Sequence, residues 1–164
     1  MKKLVLFLML MAPLATFAQK FGKVNTQTIM QALPEIAKIN GELQAQSKQY
    51  ENDLKSMQDE LQRKSDAYDK GKATMNATAQ KTAEEELQTL YQKIQQAYQD
   101  NQQALQKAQQ EKMQPVIQKI RNAIDAVGKA GGYTFILEEG TAIYTGTTVE
   151  DVTAKVQAEI AKAK

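Results

Sequence analysis

PEIAKINGELQAQSKQYENDLKSMQDELQRKSDAYDKG, residues 34–71, is the stretch that decides the fold. Pro34 suits the first position of a helix, where its missing N–H is not needed. From Ile36, steps of four and three residues reach mostly apolar or aromatic positions as far as Tyr68, just before Gly71. This spacing predicts a long helix with a narrow heptad seam. The seam positions are Ile36, Asn40, Leu43, Ser47, Tyr50, Leu54, Met57, Leu61, Lys64 and Tyr68.

A second seam follows Gly71 and predicts a second long helix, which begins near Ala73 or at Thr82, where Glu85 completes a capping box. Two long helices joined by one glycine-containing break favour an antiparallel hairpin. A globular four-helix bundle is less consistent with the chain, which has too few further helices. A helix of about 37 residues is roughly 55 Å long, so the hairpin is expected to project as an arm. The second seam comprises Leu87, Tyr91, Ile94, Tyr98, Asn101, Leu105 and Ala108.

Pro115 interrupts the second pattern. After Ala108 the next apolar seam position is Met113, a step of five residues, and Pro115 removes a backbone donor at the same place. We therefore expect a kink or a helix end near residues 111–116, with Pro115 as a hinge. Beyond it the apolar stripe continues to Val127, and the helix is expected to end at Gly128 or at residues 131–132.

The segments outside the hairpin predict β structure. Residues 21–25 and 133–137 are strand candidates, residues 138–140 a turn, and residues 142–144 a third strand. Thr148, with Asp151 three residues later, is the expected N-cap of a last helix. The apolar face of that helix comprises Val149, Val152, Val156 and Ile160.

The predicted fold class is therefore α+β. A long antiparallel coiled-coil hairpin, residues 34–115, is expected to project from a small β-containing body formed by residues 19–33 and 116–164. Three short strands and one terminal helix bury little apolar surface by themselves. We therefore expect the body to associate with further subunits.

Residues 1–18 are typical of a secretory signal peptide. Lys2 and Lys3 precede a short apolar run, and the sequence Thr16-Phe17-Ala18 has small residues at both positions that a signal peptidase reads. The run is shorter than the about 20 apolar residues that a membrane-spanning helix needs. Export with cleavage after Ala18 is therefore favoured over a membrane anchor.

The composition excludes several classes of function. The 164 residues include no Cys and no His, which excludes thiol chemistry, Cys/His zinc sites and a Ser-His-Asp triad. Lys2 and Lys3 account for the excess of 21 basic over 19 acidic residues, so the exported chain is neutral and has little electrostatic basis for binding nucleic acid. Its carboxylates form no motif with a positioned partner. We expect neither an enzyme nor a cofactor.

The order of elements resembles that of the Skp/OmpH family of periplasmic chaperones. Residues 21–25 (FGKVN) are similar to the family's opening strand, and residues 133–144 (YTFILEEGTAIY) are similar to its closing β hairpin. Residues 149–156 (VEDVTAKV) are similar to its final helix. Likeness at the level of residues is confined to these ends, whereas the architecture matches along the whole exported chain.

This resemblance implies a periplasmic homotrimer whose β segments form a shared barrel-like body and whose three arms enclose a cavity. Family members hold unfolded outer-membrane proteins there without ATP. The oligomerisation body would include Val24, Phe135, Leu137, Ile143 and Tyr144. The better-known members are strongly basic, so a lipopolysaccharide or membrane-surface site is not carried over to this neutral chain.

The candidate residues for client contact on the arm have two interpretations. All but Met75 lie on a heptad seam, where packing within the hairpin is the simpler role. Met75 lies off both seams near the tip, which favours client contact, because methionine adapts to partners of varied shape. The candidates are Met75, Tyr68, Tyr91, Tyr98 and Met57.

A different class of function remains open for the same architecture. Coiled-coil hairpins also occur in structural adaptors of envelope transport or secretion assemblies. Those hairpins are usually inserted in larger flanking β domains, whereas only residues 19–33 precede Pro34 in the exported chain. The chaperone interpretation is therefore preferred.

Overall fold

A computed structural model describes residues 19–162, so the predicted signal peptide lies outside the described residues. The described chain forms two compact units. The sheet unit comprises residues 19–29 and 120–162, and the helical unit comprises residues 30–119. Long helices and a small three-stranded sheet confirm the predicted α+β class.

Eight elements follow one another along the described chain. They are β1 (Phe21–Val24), α1 (Thr26–Ala32), α2 (Pro34–Gly71), a 3-10 turn (Lys72–Thr74), α3 (Ala77–Gly131), β2 (Phe135–Glu138), β3 (Glu150–Asp151) and α4 (Thr153–Lys162).

The sheet is entirely parallel, with β1 between β2 and β3. β1 pairs with β2 from Phe21 opposite Phe135 to Val24 opposite Glu138, and its other edge pairs with β3. Parallel neighbours need a long connection, and α1, α2 and α3 together supply it between β1 and β2. The paired strands β1 and β2 are therefore separated in the chain by the whole helical hairpin.

The predicted strand at residues 142–144 is wrong, and so is the closing β hairpin. The chain turns at Gly140, whose φ of +85° favours glycine, and residues 141–149 form turns and bends. A strand needs a neighbour to pair its backbone N–H and C=O groups. Within residues 19–162 the sheet has three strands, and residues 142–144 pair with none of them, so the outer edge of β2 does not gain a hairpin partner.

The sheet unit has an aliphatic core. Ile29, Val152 and Val156 are completely buried, and the other core side chains are nearly so. Val156 and Ile160 of the last helix are buried, as its sequence predicts, and so is Val152 immediately before it. Val149 is only half-buried. The core comprises Val24, Ile29, Ile120, Ala123, Val127, Val152, Val156 and Ile160.

α4 begins at Thr153, four residues later than the predicted N-cap at Thr148 implies. The expected N-cap at Thr148 is wrong, because residues 147–149 form a turn and residues 150–151 are used as β3. Asp151 replaces it in part: its Oδ1 accepts a hydrogen bond from the Thr153 N–H at 2.9 Å. The Thr153 hydroxyl accepts from the Asn25 N–H at 3.0 Å, which ties the start of α4 to the end of β1.

α2 spans Pro34–Gly71, as its sequence predicts, and packs antiparallel to α3. Ion pairs between the two helices show this antiparallel direction, because the residue numbers of the partners on α3 rise as those on α2 fall. The pairs are Lys64–Glu86, Glu42–Lys112 and Glu35–Lys119. No described residue from 40 to 115 is fully buried, so the two helices meet along a half-exposed seam.

α3 begins at Ala77, and Asn76 provides its cap, since Asn76 Oδ1 accepts from the Ala79 N–H at 2.9 Å. The predicted start near Ala73 is four residues too early. The predicted capping box at Thr82 is wrong, because Thr82 lies within the helix and its hydroxyl donates to the Thr78 carbonyl.

α3 continues through Pro115 without ending there, and it ends at Gly131, at the second of the two predicted places. The Tyr133 N–H donates to the Gly128 carbonyl and the Gly132 N–H to the Lys129 carbonyl, which is the Schellman arrangement. Gly132 has a φ of +65°, the left-handed conformation that this termination requires. A hinge at Pro115 stays a prediction.

Candidate functional site

The stripe that α3 half-buries includes five of the seven predicted seam positions and excludes the two tyrosines. Tyr91 and Tyr98 lie beside the stripe, with 50% and 56% of their surface exposed, so their predicted position within the seam is wrong. Ala97 and Ala104 lie within it, and small side chains allow two helices to approach closely, whereas a tyrosine at the edge keeps its hydroxyl hydrated. The half-buried stripe comprises Leu87, Leu90, Ile94, Ala97, Asn101, Ala104, Leu105 and Ala108.

Met57 and Tyr68 of α2 are half-buried, in contrast to the two tyrosines of α3. The Tyr68 hydroxyl donates a hydrogen bond to Glu84 Oε1 of α3. This bond, together with desolvation, raises the pKa of Tyr68. Met57 and Tyr68 therefore contribute to packing within the hairpin.

Met75 lies at the tip of the hairpin, between the 3-10 turn and α3, and it is half-buried. Its terminal methyl group lies 3.2 Å from the position that a Cβ on Gly71 would occupy. The amide of Gln80 donates to the carbonyls of Lys72 and Met75 at 2.8 and 3.2 Å, which braces the turn. The thioether therefore folds over the tip and keeps only part of its surface free.

The two sides of the hairpin differ in charge. One groove of about 530 Å³ is lined mainly by amide, hydroxyl and apolar groups, and its single charged lining residue among those described is Glu84, which accepts from Tyr68. The groove on the other side, about 370 Å³, includes Glu60, Lys64 and Lys93. Gln58, Leu61, Gln62, Ser65, Leu87, Gln88 and Tyr91 complete the first groove.

Large apolar side chains are exposed together on the sheet unit. Ile143 is fully exposed, 84% of the Tyr144 surface is exposed, and Phe135 and Leu137 are also exposed. Phe21 joins them, since its ring stacks on that of Phe135 with centroids 6.1 Å apart. Val24 differs, because it is buried in the core of the unit. Phe21 was not among the residues predicted for the oligomerisation body. Side chains alternate along a strand, so Phe21 lies on the same face of β1 as the charged residue Lys23, which was a signal for its exposure.

A cavity of about 270 Å³ lies between the sheet and the loop that follows β2. Its apolar lining includes Phe21, Leu137, Ala142, Ile143 and Val149. The exposed apolar residues of the sheet unit therefore border a concave surface, which suits contact with another protein surface.

A charged cluster joins the start of β1 to β3 and α4. Lys155 and the Tyr133 hydroxyl both donate to Glu150, and Lys20 lies 3.3 Å from the same carboxylate. Hydrogen bonds from Lys155, Tyr133 and Lys20 lower the pKa of Glu150 to about 2. Lys20 also lies 4.1 Å from the centre of the Tyr133 ring, and Gly131 leaves room for this ring, since a Cβ there would clash with it. The sequence offered no signal for this cluster, because its members are far apart in the chain.

Residues 19–162 contain no group of His, Cys, Asp or Glu that could hold a metal ion. No described helix is both long enough and apolar enough to cross a membrane.

The family model described as "Outer membrane protein (OmpH-like)" matches residues 20–160, nearly the whole described chain. The chain belongs to the OmpH-like family. The predicted Skp/OmpH resemblance is confirmed, and so is the prediction that the chain is not an enzyme, because the family consists of chaperones.

Two relatives carry the name chaperone protein Skp. The one from Pectobacterium atrosepticum is 24% identical over 143 residues, which cover 87% of this chain and 86% of the relative. The one from Yersinia enterocolitica is 27% identical over 153 residues, which cover 93% of each chain. The OmpH-like chain is therefore matched along almost its full length.

A solved structure has the same fold. It is an OmpH-like outer membrane chaperone from Caulobacter crescentus, with a TM-score of 0.77 and 17% identity. The match covers 89% of this chain and 86% of that chain. The likeness therefore extends over the sheet and the long helices.

Proposed function

We propose that this OmpH-like protein is an ATP-independent holdase of the periplasm, which binds unfolded outer-membrane proteins and prevents their aggregation. Membership of a chaperone family supports the class of function. A holdase needs an accessible surface for many weak contacts, and the half-exposed helical unit provides one. The signal peptide, with cleavage after Ala18, would deliver the chain to the periplasm, which lacks ATP.

The working form in this proposal is a homotrimer, in which three helical hairpins enclose a cavity for the client. The observation that carries it is the exposed apolar cluster of the sheet unit, because isolated subunits rarely leave such residues in water. Phe135, Leu137, Ile143 and Tyr144 would form the contacts between subunits, while Val24 would support them from the core.

The client would contact the helical hairpins. Tyr91 and Tyr98 are the strongest candidates, because both are large, amphipathic and half-exposed. Met75 would add a flexible contact at the tip. Met57 and Tyr68 would act mainly through hairpin packing, since both are half-buried.

Native mass spectrometry of the exported chain, together with aggregation of a urea-diluted β-barrel protein, tests this proposal. We expect a trimer that suppresses aggregation without nucleotide. The Leu137→Asp and Ile143→Asp double variant should yield monomers and lose this protection, because two desolvated carboxylates would destabilise the interface. The matched control is Gln44→Asp with Gln92→Asp, at exposed positions of the helical unit, which should remain trimeric.

A stable wild-type monomer would contradict the homotrimer. A trimer without effect on several unfolded β-barrel proteins would contradict the holdase function. Stable capture of a folded envelope transport component, without client binding, would instead support the structural adaptor.

A further inference from the structure

Two exposed stripes run along α3, one on each side of its half-buried residues. The neutral stripe contains only amide, aromatic and aliphatic side chains over roughly 26 Å of helix. It comprises the exposed residues Gln88, Tyr91, Gln95, Tyr98 and Gln102, with the half-buried Leu105 at its end. The charged stripe has an ionised side chain at every seventh residue, namely Glu86, Lys93, Asp100 and Lys107. Alternating steps of three and four residues place each set on one face of the helix.

The neutral stripe alternates hydrogen-bonding amides with apolar surface. The Gln95 amide donates to the Tyr91 hydroxyl at 2.8 Å, which orients the ring along the helix. Tyr91 also lines the larger groove, where Gln58 and Gln62 of α2 add two more amides. The stripe and the groove therefore form one surface with both aromatic faces and exposed amide groups.

The charged stripe is a less favourable docking surface for an unfolded chain than the neutral stripe. Its Glu86 is paired with Lys64 at 2.9 Å, and its Lys107 is 3.8 Å from Glu111. An uncharged segment that docked there would remove these ions from water without compensating them, which is unfavourable. Docking on the neutral stripe avoids that cost.

We propose that the neutral stripe and its groove bind extended, uncharged segments of unfolded β-barrel proteins, and that this binding is nearly independent of ionic strength. The inference rests on the proposed holdase function and specifies the surface and the client segment. Membrane-spanning β strands alternate apolar and polar residues and carry few charges on their lipid-facing side. The tyrosine rings pack against the apolar side chains of such a segment, and the glutamine amides pair with its backbone.

The charge balance of the whole chain agrees with this mode of capture. Apart from Lys2 and Lys3, basic and acidic residues are equal in number, so no net charge attracts a client from a distance. Contacts through rings and amides are short-ranged and are not screened by salt. The neutral stripe therefore sets the client preference by polarity and not by charge.

Three double variants of the full exported protein test the surface. Tyr91→Ala with Tyr98→Ala removes both rings. Lys93→Ala with Asp100→Ala is the matched control, since these residues are also seven positions apart, exposed on α3 and neutral in sum. Tyr91→Phe with Tyr98→Phe keeps the rings and removes the hydroxyls. Native mass spectrometry and circular dichroism confirm that each variant keeps its assembly and helix content.

The measurement is the dissociation constant for a fluorescent, urea-unfolded β-barrel protein at two ionic strengths, where the screening length is about 10 Å and about 3 Å. We expect the alanine pair at the tyrosines to weaken binding about tenfold, from the loss of two aromatic contacts. The Lys93/Asp100 pair and the phenylalanine pair should stay within about twofold of wild type. Salt should change the wild-type constant by less than about threefold.

Binding that is unaffected by the loss of both tyrosine rings would overturn the inference. The inference would also be overturned if the Lys93/Asp100 control lost more client affinity than the Tyr91/Tyr98 alanine pair, or if wild-type affinity fell steeply with salt. Either result would leave the holdase function intact. Absence of client binding by the wild-type trimer at both ionic strengths would instead reject the holdase function and the inference together.

Discussion

The sheet unit and the helical unit are stabilised in different ways. Eight aliphatic side chains are buried in the sheet unit, and three of them are completely shielded from water. Along residues 40–115 of the helical unit, no described side chain is fully buried. The sheet unit therefore depends on packing, whereas the helical unit depends on backbone hydrogen bonds, local side-chain pairs and a half-exposed seam. The proposed client surface can remain exposed in the helical unit because stability there does not require its burial.

The largest expected difference between the units is in the cost of losing an aliphatic side chain. Ile29→Ala should reduce the free energy of unfolding by about 3 kcal/mol, because it leaves a cavity in a closed core. Leu54→Ala, in the half-exposed seam, should cost only about 1 kcal/mol. Urea unfolding at a fixed protein concentration measures both. Equal losses would contradict the distinction between packed and half-exposed units.

Replacing a glycine by alanine should change the free energy of unfolding in opposite directions in the two units. Gly132→Ala should destabilise the protein by about 1 kcal/mol, because alanine disfavours the φ of +65° that ends α3. Gly41→Ala should stabilise it by about 0.5–1 kcal/mol, because Gly41 lies inside α2 with open space at its Cβ position. Thermal unfolding of the two variants side by side gives the signs. A stabilising Gly132→Ala would mean that the Schellman termination is dispensable.

The cap at the tip tests how far local bonds support the helical unit. Asn76→Ala should cost about 1 kcal/mol, because the first turn of α3 loses the acceptor for the Ala79 N–H. Amide hydrogen exchange should increase mainly in that turn. Asn52→Ala, at an exposed position within α2, is the matched control and should have little effect. Equal effects of the two substitutions would show that the cap contributes nothing specific.

The smallest effect is expected at the charged cluster of the sheet unit and depends on pH. The pKa of Glu150 is lowered from its ordinary value of 4.5 to about 2 in the folded protein, so the ionised carboxylate stabilises the fold above about pH 4.5. That contribution is lost as the pH falls from about 4.5 towards 2. Glu150→Gln should therefore make the urea midpoint less sensitive to acid in this range.

Tyr133→Phe should have an intermediate effect, because Glu150 keeps its bonds from Lys155 and Lys20 and loses only the one from the Tyr133 hydroxyl. Both midpoints are compared with wild type at about pH 5 and about pH 2.5. An acid dependence that is unchanged in Glu150→Gln would exclude this carboxylate as a source of acid sensitivity.

Sequence prediction succeeded where the deciding interactions are local. The start of α2 follows from Pro34, which acts on the backbone within one turn, and α2 ends at Gly71, where the apolar pattern stops. The buried positions of Val156 and Ile160 in α4, and of Val152 immediately before it, follow from their spacing of four residues. These features need no knowledge of a distant partner.

Prediction failed where contacts with a segment that is distant in the chain decide the structure. Tyr91 and Tyr98 satisfy a heptad pattern, but the rotation of α3 against α2 places Ala97 and other small residues in the seam and leaves both rings exposed. The same is true of β3, because Glu150 and Asp151 have little intrinsic preference for a strand and become one only through pairing with β1.

The sequence by itself determined the helical hairpin, the chemistry excluded by the missing Cys and His, and the order of elements that resembles the OmpH-like family. These depend on residue type and short-range periodicity, which every segment carries with it. Only the tertiary structure decided which face of α3 is buried, where the third strand lies and how Lys20, Tyr133 and Glu150 meet. Strand pairing and helix rotation depend on contacts between segments that are remote in the chain, and such contacts exist only once the chain has folded.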